Sequence, residues 1–190
     1  MSPTNRRPER GSSLIVVIII MAFMLAVGVA VLTITGVAPK LSGSVRDQEE
    51  AFNTAEAGFE AARIAIEQGL LNGTITSLQD NCLKTPTGID LPLDAAYYRR
   101  QSDIALVETL SEGTTGVLFK DHPFLKTTSG SDDLTRTYTV FLIDDEAGGA
   151  TSDATDVLLI SIGVIRSGNR ILSTSRLEVL LGLESGGSTP

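Results

Sequence analysis

The sequence predicts an α+β protein: a long, kinked N-terminal helix, first transmembrane and then amphipathic, packed on a small C-terminal antiparallel β-sheet. Three observations predict it. No residue from Gly11 to Pro39 is charged, residues 45–71 repeat apolar side chains at helical spacing, and residues 136–181 hold β-branched runs separated by a turn.

The charge-free stretch comes first. Its apolar part, Leu14 to Ala38, is interrupted only by small or hydroxyl residues. As a helix rising about 1.5 Å per residue it exceeds the roughly 30 Å hydrocarbon core of a bilayer. Backbone polar groups left unpaired in lipid are costly, so the segment is expected to be helical despite its many Val and Ile. A secretory signal has an apolar region of only about 7–15 residues followed by a small-x-small cleavage site, and no clear site of that kind ends this run. The segment is therefore expected to stay with the protein. Ahead of it stand Arg6, Arg7 and Arg10 against Glu9, whereas the charges after it, from Lys40 to Glu50, nearly balance. Positive charge stays inside, which places the N-terminus in the cytoplasm and the rest of the chain outside an inner membrane crossed once.

Residues 45–71 come next. Phe52, Ala55, Phe59, Ala62 and Ile66 fall on one helical face, with Glu49, Glu50, Glu56, Glu60, Arg63 and Glu67 elsewhere. Residues 35–44 between the two helical parts contain Gly36, Pro39 and Gly43, so a kink or a short melted stretch is expected there. Gly69, Asn72 and Gly73 are placed to end the helix. Residues 74–134 read as loop-rich, with a short helix or a strand near 103–110 left open. Strands are legible at 136–143, 157–165 and 170–181, the last two forming a hairpin around a four-residue turn, 166–169. The amphipathic helix is the natural cover for one sheet face. The domain organisation is thus a leader over 1–11, a transmembrane helix over 12–38, a linker and amphipathic helix over 39–71, an exported β-rich domain over 72–183 and a disordered tail over 184–190.

Composition narrows the function. The chain carries a formal charge of −8, and since the leader holds three Arg and one Glu, the chain without its leader stands near −10. Such a surface offers no footprint for nucleic acid or an anionic lipid face. Cys82 is the only cysteine, so no intramolecular disulfide is possible, and a small buried hydrophobe is the favoured role.

The entry to the apolar run, Arg10-Gly11-Ser12-Ser13-Leu14-Ile15-Val16-Val17, and the later Ala51-Phe52-Asn53-Thr54-Ala55-Glu56-Ala57-Gly58-Phe59-Glu60-Ala61-Ala62-Arg63 carry a resemblance. They resemble the R-G-x-x-L-V-V start and the A-F-x-x-A-E-A-G-x-x-x-A segment of PilX-like minor pilins, in the type IV pilin superfamily, over about residues 6–66. The resemblance implies a pilin-like fold, cleavage by prepilin peptidase between Gly11 and Ser12, methylation of the new N-terminus, and partners among other pilins and the pilus assembly machinery. It also implies a place in the membrane before assembly and in the fimbrium after it. Two positions depart from the superfamily's pattern: Ser12 stands where most mature pilins begin with Phe or Met, and Val16 where most carry a glutamate that neutralises a neighbour's N-terminal amine. An unpaired charge in an apolar core is costly, so Val16 fits a minor subunit better than a self-repeating one. Ala22, Ala26, Gly28, Ala30 and Gly36 are small enough to let other helices approach closely.

No catalytic constellation is visible. His122 is the only histidine, in a polar stretch with no marked nucleophile, and one His and one Cys do not make a metal site. Asp144, Asp145, Glu146, Asp153 and Asp156 match no EF-hand spacing and read as a solvated loop. The glycines form no phosphate cradle. The expectation is a structural subunit rather than an enzyme, with no cofactor, metal or small-molecule substrate. The alternative is an uncleaved, single-pass membrane-anchored envelope or binding protein.

Overall fold

The computed structural model describes residues 12–144 and 156–182, and for residues 12, 13 and 33–41 the backbone alone. The leader, most of the acidic loop and the C-terminal tail lie outside the described residues. The chain divides into two compact units, Met1–Val45 and Arg46–Pro190.

Helix α1 spans Ser12–Leu71, 60 residues. The helical assignment passes through residues 35–44 without the melted stretch expected there. Pro39 has no amide hydrogen to give the ladder, yet the helix continues past it. In the first unit, Leu14–Leu32 is long and apolar enough to cross a membrane, with a mean hydropathy of 3.2 and none of it buried.

In the second unit α1 ends where Gly69, Asn72 and Gly73 place it. Gly73 takes a left-handed φ of 70°, and the amide of Ile75 closes the end by donating to the carbonyl of Gly69 at 3.0 Å. Two single-turn 3-10 helices come after it, Gln79–Asn81 and Tyr98–Arg100. Helix α2, Asp103–Thr109, settles the open choice near 103–110: the Ser102 hydroxyl caps it by accepting from the amide of Ala105 at 3.2 Å.

The strands are β1, Val117–Pro123, β2, Arg136–Ile143, β3, Asp156–Ser167, and β4, Arg170–Gly182. They form an antiparallel sheet in the order β1-β2-β3-β4. The hairpin between β3 and β4 is tighter than expected, because both strands run further toward each other and leave only Gly168 and Asn169 between them. Gly168 supplies the φ of 58° that the first central position of such a turn needs. Strand β1 lies inside the segment expected to be loop. Its pairing with β2 slips twice, between Val117 and Phe119 and between Phe119 and His122, which breaks the alternation that would have revealed it.

Alternation along β2 and β3 sends side chains to two cores. Tyr138, Val140, Leu142, Val157 and Leu159 pack with Ala62, Ile66, Leu78 and Cys82 on the α1 side. Phe141, Ile143, Ile160, Ile162 and Val164 pack with Leu83, Ile89, Tyr98 and the α2 residues Leu106 and Val107 on the other. The long excursion 72–116 therefore adds Leu78 and Cys82 to the α1 side and, from Leu83 to Leu110, forms a second cover layer on the other. Arg176 on β4 holds it in place, donating to the Asp103 carboxylate at 2.7 Å and to the carbonyl of Gln101 at 3.0 Å.

Candidate functional site: the N-terminal helix and its seam with the sheet

The sequence puts its chemistry on α1, and the two units use that helix differently. In the first unit Ala22, Ala26 and Ala30 recur every fourth residue, so they share a face. All three are exposed, and a methyl group added to Gly28 would meet nothing within 4 Å. Val16 is also exposed. Gly11 lies outside the described residues, as do the side-chain surroundings of Ser12 and Gly36.

In the second unit the small residues are covered. Ala51, Thr54, Ala55 and Ala62 are fully buried, Phe59 is half-buried and Phe52 stands 44% exposed. The face that meets the sheet is thus centred on Ala51, Ala55, Gly58 and Ala62, one position away from the Phe52–Phe59 line. Close approach is the reason. A methyl group on Gly58 would come within 2.6 Å of the Ser161 hydroxyl and 2.9 Å of the Tyr138 ring, and one on Gly163 would press on the backbone of Ala51 and Ala55. Helix and strand β3 nearly touch backbone to backbone, a spacing that two phenylalanines would not permit. The Ser161 hydroxyl donates to the carbonyl of Ala55 at 2.7 Å, so this polar side chain of β3 is satisfied within the seam. Glycine and serine in a strand carry little signal by themselves, which is why sequence reasoning misses Gly163 and Ser161.

A charged clamp closes one end of the seam. Arg136, at the start of β2, donates from Nε and Nη2 to one Glu50 oxygen at 3.1 and 3.0 Å, while Arg46 donates to the other at 3.1 Å. The hydrogen bonds from Arg136 and then Arg46 hold the Glu50 carboxyl below its usual range. From sequence Glu50 reads only as one of the acids off the apolar face, since its partner lies 86 residues away.

The remaining reactive groups serve packing. The His122 ring lies 5.1 Å from Tyr138 and 5.2 Å from Phe119, in an aromatic cluster. Beside it Asp121 adopts a positive φ of 45° in the second slip of β1 and pairs with Lys120 at 2.7 Å and Arg166 at 3.0 Å. Burial opposes its charge, yet hydrogen bonds from those two cations keep its carboxyl below the usual range. Cys82 is buried, and loss of solvation pushes its thiol up to about 12, far from the range of a nucleophile. Among the described residues no three His, Cys, Asp or Glu side chains gather as a metal site would need.

The arrangement therefore presents one lipid-length apolar helix segment and one segment fastened to a sheet. Residues 10–60, which include both the entry to the apolar run and the buried Ala51, Ala55 and Gly58, match the family model described as PilX N-terminal. Comparison with curated proteins and with solved structures returns no match. Over residues 10–60, the segment that opens the α+β architecture, the chain is thus similar to the N-terminal part of PilX-like pilins.

Proposed function

We propose that this chain is a minor pilin-like structural subunit that prepilin peptidase cuts between Gly11 and Ser12. It takes part in the initiation or assembly of a type IV pilus or related pseudopilus. The match over residues 10–60 carries the reading. Two further observations support it. Leu14–Leu32 is exposed along its whole length within this chain, so its partners are lipid before assembly and other pilin helices after it. Ala22, Ala26, Gly28 and Ala30 offer those helices a small-residue face.

The function is mechanical rather than catalytic. The N-terminus lies in the cytoplasm, the apolar helix holds the subunit in the inner membrane, and the sheet domain is displayed outside. With Val16 at the fifth mature position the subunit cannot neutralise a neighbour's N-terminal amine, which suits a subunit present in few copies.

Mass spectrometry of the N-terminal peptide, from cells that express the chain with its native assembly system, tests the processing step. A methylated N-terminus at Ser12 is expected, and one still at Met1 or Ser2 would overturn the proposal. Co-purification with other pilins from the same membranes tests the assembly step.

A further inference from the structure

We propose that the outward face of α1 in the second unit, together with the cleft beside it, docks a basic segment of another protein through an apolar anchor. The cleft lies between α1 and the corner after β1, bounded by Glu50 and Asn53 on the helix and by Phe124, Leu125 and Arg136 across from it, and it holds about 160 Å³. That is room for one large apolar side chain. Phe124 and Leu125 are 36% and 45% exposed, so the apolar wall is open to solvent. Asn53 and Phe124 also line a wider depression of about 500 Å³ that runs past Glu56 and Glu60.

Charge selects the occupant. Glu49, Asn53, Glu56 and Glu60 succeed one another at spacings of four, three and four residues and so form a stripe along the helix, all of them exposed. Glu60 pairs with Arg63 across a solvated surface, while Glu49 and Glu56 make no ion pair among the described residues. An acidic stripe beside an apolar slot fits Lys or Arg flanking an aromatic or aliphatic anchor. A second copy does not complement it, since the chain carries −8 overall. Residues 145–155 and 183–190 do not either, for they hold acids and no Lys or Arg. Nucleic acid and anionic lipid are repelled.

The docking surface goes beyond the pilin reading and does not depend on whether the leader is cut. The test uses the full chain in detergent micelles and a fluorescein-labelled peptide in which lysines flank a Leu-Phe pair, with binding read by fluorescence anisotropy. One control peptide replaces the Leu-Phe pair by serines and a second replaces the lysines by glutamates. The first peptide should bind at least about tenfold more tightly than either control. Glu56→Gln combined with Glu60→Gln should weaken it about tenfold, and Leu125→Ser should erase its advantage over the serine peptide. All three substitutions fall on exposed positions, and circular dichroism verifies that each variant folds. Asn53→Lys, which places a cation in the cleft mouth, should weaken the first peptide as well. Failure of the first peptide to bind, equal binding by either control, or indifference to the Glu56/Glu60 pair overturns the proposal. So does self-association of the chain that blocks the peptide.

Discussion

Among the described glycines the narrowest tolerance sits at Gly163. A methyl group there presses against the backbone of Ala51 and against the Ala55 amide, only 2.6 Å away, and backbone cannot swing aside as a side chain can. Gly163→Ala should therefore lower stability by about 1–3 kcal/mol, the usual cost of overpacking a tight contact. Urea unfolding of the full chain in detergent measures it. Gly28→Ala is the contrasting case, since among the described residues nothing lies within 4 Å of the added methyl group, and the same unfolding curve should be unchanged. Glu50 gives a pH signature. Its carboxyl is held low in the folded state, so its stabilisation is complete above the ordinary value of 4.5 and is lost as pH falls below it. Glu50→Gln should flatten that part of the stability profile and cost about 1 kcal/mol at neutral pH, as a partly exposed pair does. Cys82 should resist alkylation in the folded protein and react fully in urea, because burial keeps the thiol protonated until about pH 12.

At the scale of elements, the excursion 72–116 depends on Arg176. Replacing it by Ala leaves the Asp103 carboxylate without its strongest partner and removes one donor from the Gln101 carbonyl and one from the Tyr98 carbonyl, which keeps the Gln101 amide. Limited proteolysis should then cut within 98–110 well before it cuts the sheet, and stability should fall by about 2 kcal/mol. An element is legible to the degree that it is regular. Strands β2, β3 and β4 stand out in the sequence because their β-branched runs are long and the strands pair in nearly unbroken register. Strand β1 does not, because two slips and the left-handed Asp121 interrupt it within seven residues. Helix α2 is half legible: Ser102 and Asp103 are a proper start, but seven residues are too few to show a helical period. Of the α1 face that periodicity marks, Ala55, Ala62 and Ile66 are buried and Phe59 is half-buried against the core, but Phe52 stands out in solvent, because the strand opposite leaves room there only for Ala and Gly such as Ala51 and Gly58.

For the whole molecule, the single cysteine means that no covalent staple supports the fold, so adding reductant should leave the unfolding midpoint where it is. Support comes instead from a sheet covered on both faces, by α1 with Leu78 and Cys82 on one side and by the layer from Leu83 to Leu110 on the other. The class of the molecule is readable because its strongest signals, an uncharged run and a segment of Ala, Glu and Gly, are local in sequence. The seam is not, because it joins residues more than a hundred positions apart, as Ala55 and Ser161 show. That distance has a use. Chains that share the Ala-Glu-Ala-Gly segment but differ in everything after it should still keep a glycine, two residues after a serine, in the strand that faces the segment. A reader of such sequences would then have a fixed point from which to align C-terminal halves that otherwise offer none.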